Sequence, residues 1–120
     1  METLADSLIK KAGDLGATVA GLVNMGDLLS RSDHGRYPIA RDADRCDCVL
    51  VAGLDHPPSV PELDWFVGRG GTEGNRILMR INAGLSSWLE EIHGVGSRDL
   101  HYYAEKGGVL LKDAAVMAGL

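Results

Sequence analysis

The glycine-rich run Gly68-Arg69-Gly70-Gly71-Thr72-Glu73-Gly74 leads into a long stretch of helical periodicity, and this is where ligand chemistry is most readily read from the chain. Free backbone N–H groups and the helix dipole favour anions at a helix start, and Arg69 and Arg76 add guanidinium groups on either side. The run is therefore a candidate cradle for a phosphate or carboxylate; the competing reading is a mobile loop before a helix. It is not a dinucleotide fingerprint, because the third glycine would fall at Glu73 and no strand leads directly into it, and it lacks the Gly-Lys-Ser/Thr of a P-loop.

Other candidates are thinner. His56 follows Asp55 just after an apolar stretch, and ligands of open α/β sheets gather beyond strand ends; Asp55-His56-Pro57-Pro58 is equally a good turn sequence. Tyr102 and Tyr103, beside His101, offer a phenol for proton transfer, with alternation turning only one ring inward. The plainer reading is a strand with one exposed ring. Cys46 and Cys48 share a side if the chain is extended, which is half of a metal site that nothing completes. They are too close for an ordinary disulfide, and an iron–sulfur cluster needs about four cysteines. Buried or half-buried thiols are the usual fate of such residues. The four histidines, His34, His56, His93 and His101, have no paired helical spacing that would hold zinc. Lys112 and Asp113 read as a solvated helix face, and no Gly-x-Ser-x-Gly elbow occurs. The candidate ligand contacts are thus His56, Arg69, Gly70, Arg76 and Tyr102, with no catalytic residue and no metal ligand assigned.

These residues need elements to position them. Leu4, Ala5, Leu8, Ile9, Ala12 and Leu15 line one helix face, with Thr3 placed to cap it and Gly13 or Gly16 to end it. Ala17 to Val23 reads as a short strand, and Asn24 as the cap of a short helix through Leu28 and Leu29. Polar Ser30 to Asp44 reads as a loop leading to a strand over Asp47 to Leu54. That strand is apolar at nearly every residue after Cys48, as expected for a central strand covered on both faces. Pro61 to Phe66 reads as a short helical turn and Gly68 to Gly74 as flexible. Asn75 to His93 is an amphipathic helix ended by Gly94, with Ile77, Leu78, Ile81, Leu85, Trp88, Leu89 and Ile92 on the face expected to cover a sheet. Arg98 to Ala104 alternates as a strand, and Val109 to Ala118 closes the chain as a helix. No internal repeat or low-complexity segment is present.

Composition bounds the function. At 120 residues the chain suits a single domain, residues 1–120, with enough length for one core. Apolar residues make up 45% and charged residues 24%, an ordinary soluble composition. The apolar run Val49 to Leu54 is far short of the roughly 20 residues of a membrane helix, and the N-terminus carries Glu2 and Asp6 instead of a basic region. These features point to the cytoplasm and away from membranes. A net charge of -5 with scattered basic residues argues against a nucleic-acid surface.

The C-terminal stretch Tyr103-Ala104-Glu105-Lys106-Gly107-Gly108-Val109-Leu110-Leu111-Lys112-Asp113-Ala114-Ala115-Val116-Met117-Ala118-Gly119-Leu120 resembles the segment just before the catalytic centre of the epoxyqueuosine reductase-like family. Its members are cobalamin and iron–sulfur reductases related in architecture to the reductive dehalogenases. In that family the pattern runs directly into glycine-tryptophan-isoleucine-glycine-lysine-asparagine, a continuation missing here. The resemblance is weaker elsewhere. Leu4 to Leu29 is similar to the family's opening helix, Gly-Ala-x-x-Ala-Gly-Leu strand and Met-x-Asp-Leu-Leu segment, Asp47 to His56 to its first long buried strand, and Glu62 to Gly94 to its glycine loop and long helix.

The resemblance implies an α+β fold with a small mixed sheet covered by helices, like the nitroreductase-like corrinoid-binding core and incomplete at its C-terminus. It implies a corrinoid in the full-length protein, held here by a partial shell, and a following ferredoxin-like domain with two four-iron four-sulfur clusters. Reduced clusters would deliver electrons to cobalt while a protein acid supplies a proton. The acid and all cluster cysteines would lie beyond Leu120, so the expectation is the N-terminal module of a larger reductase, inactive alone. Two other readings stand beside it: a small module holding an anion at Gly68 to Arg76, and an oligomer-forming scaffold that pairs as a homodimer through Val116, Met117 and Leu120 of an exposed C-terminal helix.

Overall fold

The computed structural model describes residues 2–31, 46–69, 71–100 and 111–120. In chain order it contains helix α1 (Leu4–Asp14), strand β1 (Val19–Asn24), helix α2 (Met25–Arg31), strand β2 (Cys48–Gly53), a 3-10 turn (Pro61–Asp64), helix α3 (Glu73–His93) and helix α4 (Leu111–Met117). This is an α+β chain. Two units divide it, one of Met1–Val19 with Ala52–Ser97 and one of Ala20–Val51 with Arg98–Leu120, the boundary falling inside both strands.

In the first unit α1 starts where expected. The Thr3 hydroxyl accepts from the Asp6 N–H, and the Asp6 carboxylate accepts from the Thr3 N–H, both at 3.1 Å, a reciprocal capping box. The helix closes with the Leu15 N–H on the Lys11 carbonyl and the Gly16 N–H on the Gly13 carbonyl, both at 3.0 Å, and Gly16 turns the chain away at φ +117°. Leu8 and Ala12 are buried, whereas Leu4 and Ile9 at the edge of the apolar stripe stay exposed. Helix α3 begins two residues before the expected Asn75, because the Thr72 hydroxyl caps it by accepting from the Asn75 N–H at 3.2 Å. It ends as expected at Gly94, left-handed at φ +64°, with the Val95 N–H reaching back to the Leu89 carbonyl at 3.1 Å. Ile81, Leu85 and Leu89 form its buried stripe, while Ile92 at the far end is exposed. In this unit α3 packs against α1 and the 3-10 turn. A Cβ on Gly84 would meet the Leu15 side chain at 3.1 Å, so this glycine lets the end of α1 lie close against α3.

In the second unit Val23, Met25, Leu28, Val51 and Ala114 are the buried core, with Cys46, Val49, Leu100, Ala115, Met117 and Ala118 packed around it. Helix α2 is capped as expected, with the Asn24 side-chain oxygen accepting from the Asp27 N–H at 3.1 Å. Along β1 the buried positions alternate, Gly21 and Val23 facing the core. Gly21 is required there, since a Cβ would lie 2.5 Å from the Ala118 carbonyl oxygen. After α4 the chain is closed by Gly119 at φ +88°, with the Leu120 N–H on the Ala115 carbonyl at 2.9 Å. The expected Val109–Ala118 helix is thus described from Leu111, and Met117 packs on the core where it was expected to be exposed.

Strands β1 and β2 pair with antiparallel register: the Thr18 N–H donates to the Gly53 carbonyl at one end and the Met25 N–H to the Asp47 carbonyl at the other, both at 2.9 Å. The expectation that β2 is covered on both faces is corrected. Among the described residues the sheet has two strands, and in β2 only Val51 is buried, with Cys48 exposed. Its continuous apolar run reflects half-buried positions and not two covered faces. Strand β1 starts two residues later than expected, because Ala17 still bonds the Ala12 carbonyl and the Thr18 hydroxyl is taken by the Asp55 N–H at 2.8 Å. The expected strand over 98–104 does not begin at Arg98, Asp99 or Leu100, and its remaining residues, with most of the expected loop of 30–44, lie outside the described ones.

Candidate functional site

Hydrogen bonds join the described residues between the 3-10 turn and α3. The Val67 N–H donates to the Gly71 carbonyl at 2.9 Å, the Gly71 N–H to the Gly68 carbonyl at 3.0 Å, and Phe66 and Thr72 face each other in an antiparallel bridge. Gly68 and Gly71 sit at φ +102° and +78°, a region that L side chains rarely adopt, so glycine is needed for this tight reversal. Glu73 and Gly74, the end of the run expected to be flexible, already belong to α3.

The helix start is also not an open cradle of N–H groups. The Glu73 N–H is taken by the Trp65 carbonyl at 3.1 Å and the Asn75 N–H by the Thr72 hydroxyl. Two donors that a bound anion would use are committed to the protein itself. What remains is side-chain chemistry. Arg69 on the turn and Glu73, Arg76, Met79 and Arg80 on α3 line an open cleft of about 440 Å³. Glu73 stands between two of the arginines, with Oε2 4.0 Å from Arg76 Nη1 and Oε1 3.4 Å from Arg80 Nη2. At three and seven residues' separation they share one helix face. Both contacts are long and both arginines are more than half exposed, 51% and 72%, so neither is locked to the carboxylate.

His56 occupies a different place. Its Nδ1 lies 2.6 Å from the Asp64 carboxylate, which the 3-10 turn presents. Its opposite edge abuts the start of α3, where a Cβ on Gly74 would come within 2.8 Å of Cε1 and Nε2. One nitrogen is held by a carboxylate and the other edge is pressed against a helix, so the ring joins the turn to the helix start.

Of the five candidate contacts, the structure brings Arg69 and Arg76 to one cleft and leaves His56 out of that cleft's lining. Gly70 and Tyr102 lie outside the described residues. Asp64, Glu73 and Arg80 were not foreseen. Glu73, Arg76 and Arg80 carry a readable signal, the i, i+3, i+7 spacing, but only once the helix is started at Glu73. Asp64 has no such signal, because a loop rich in proline brings it back to His56.

Neither cysteine is in a disulfide; Cys46 is half-buried on the second core and Cys48 is exposed, a correction to the expectation that both are at least half-buried. Among the described residues no three His, Cys, Asp or Glu side chains gather as metal ligands, and no helix is long and apolar enough to cross a membrane. No family model, curated protein or solved structure matches the chain.

Proposed function

We propose that this chain is the N-terminal, corrinoid-contacting region of an epoxyqueuosine reductase-like iron–sulfur reductase, without reductase activity of its own. The observation that carries this reading is the run from Glu105 to Leu120, whose Leu111–Met117 portion is helical and buries Ala114 in the second core. The order of α1, β1 and α2 over the segments that resemble the family's opening helix, strand and Met-x-Asp-Leu-Leu stretch supports it. A nitroreductase-like core belongs to the same proposal. Cobalt in a bound corrinoid supplies two-electron or one-electron reduction chemistry. This chain's own part is to hold the corrinoid's polar rim through Arg69 and Arg76. Iron–sulfur clusters need about four cysteines each, and two are present, so the clusters would come from elsewhere in the protein.

The reading is tested by mixing the chain with cobalamin and running gel filtration with detection at visible wavelengths. Corrinoid absorbance travelling with the protein peak is expected; its complete separation from that peak counts against the reading. Self-association is part of the proposal, since Trp65, Phe66 and Val67 in one unit and Val116 and Leu120 in the other leave apolar side chains exposed.

A further inference from the structure

We propose that the cleft lined by Arg69, Glu73, Arg76, Met79 and Arg80 is a binding site for a diphosphate group, such as that of a nucleoside diphosphate. The inference rests on the cleft alone and not on the reductase reading. Among the described residues three guanidinium groups and one carboxylate line it, an excess of two positive charges among them on a chain whose net charge is -5. Clustering of this kind against the overall charge concentrates anions at one place. The helix N-terminus contributes little, because its Glu73 and Asn75 N–H groups already have protein partners. Recognition must come from the side chains.

Arginines beside both oxygens of Glu73 offer donors to two linked phosphoryl groups. Its two oxygens face different arginines, Oε2 toward Arg76 and Oε1 toward Arg80, so a guanidinium group lies beside each oxygen. Arg76 and Arg80 are one helical turn apart, roughly 6 Å along the axis. A diphosphate can place one phosphoryl group against Arg76 and Arg69 and the other against Arg80. Guanidinium forks bind phosphate oxygens in pairs, which adds geometric selectivity to charge. The thioether of Met79 gives the cleft an apolar wall beside the charges.

The test is isothermal titration of the full chain with pyrophosphate, with inorganic phosphate in parallel, at low and moderate salt. Saturable pyrophosphate binding that weakens with salt and exceeds phosphate binding is expected. Arg76→Ala and Arg80→Ala should each weaken it about tenfold or more, the loss of a charge-assisted hydrogen bond. Glu73→Gln should tighten it about two- to fivefold by removing the competing carboxylate. The arginine changes are at exposed positions, and circular dichroism of each variant confirms that the fold is kept. No pyrophosphate binding at millimolar concentration, equal affinity for phosphate, or unchanged affinity in both arginine variants overturns the proposal.

Discussion

At the scale of single residues, the sharpest constraint is the contact between Gly74 and His56. Any side chain at position 74 meets both the imidazole ring, which Asp64 pins, and the Leu63 carbonyl at 3.1 Å. Gly74→Ala should cost about 1–3 kcal/mol through overpacking, measured by urea unfolding. In a His56→Ala background the same change should cost less, since the ring has gone and only the Leu63 carbonyl is left to crowd the methyl. Equal costs in both backgrounds would mean that the ring is not what crowds position 74. Acid exposes a second residue. The Thr3 N–H, and after it the Thr3 hydroxyl, hold the Asp6 carboxyl below its ordinary value of 3.8. A depressed folded value means that the unfolded chain takes up the proton first, so the contribution is complete above about 3.8 and is lost as pH falls through the folded value. Between pH 6 and pH 3 the wild-type chain should therefore lose more stability than Asp6→Asn, and identical losses would show that the capping box does not titrate. The cap itself was legible from Thr3 and the stripe that follows. The His56–Asp64 pair was not, because two residues eight apart in a loop have no periodicity to betray them.

Among the elements, sequence pattern served best where one local force dominates. Helices α1 and α3 have long apolar stripes and defined stops, and both ends of α1 and the C-terminus of α3 fall where those signals place them. The start of α3 was missed by two residues because the glycine run looked like a loop throughout, whereas Thr72 caps the helix inside it. Strand context was less legible. An apolar run such as Val49 to Leu54 reads the same whether it is covered on two faces or half-buried beside one partner, and only tertiary packing decides. Packing of α4 depends on a residue that no helix pattern identifies, Gly21 on β1. Gly21→Ala would drive a methyl to 2.5 Å from the Ala118 carbonyl, a backbone atom that cannot rotate away. A loss of about 2 kcal/mol or more is expected, with weakened amide protection in α4 by hydrogen exchange. Unchanged protection there would mean that α4 does not need this close approach.

For the molecule as a whole, acidic net charge and exposed apolar side chains pull in opposite directions. A charge of -5 favours dispersal, while Phe66 at 77% and Val116 at 72% exposure are large apolar surfaces that water solvates poorly. We expect association to win at high concentration and moderate salt, seen as a sedimentation coefficient that rises with concentration; a constant monomer value across the range would contradict it. The central claim, that this chain takes part in holding a corrinoid, reaches its most direct test in an equilibrium titration with cobalamin, followed by visible absorbance, on the wild-type chain and on an Arg69→Ala, Arg76→Ala double variant. The account predicts saturation near one corrinoid per chain and a clear loss of affinity in the double variant. Absence of saturation in the wild type, or binding indifferent to both arginines, would contradict it.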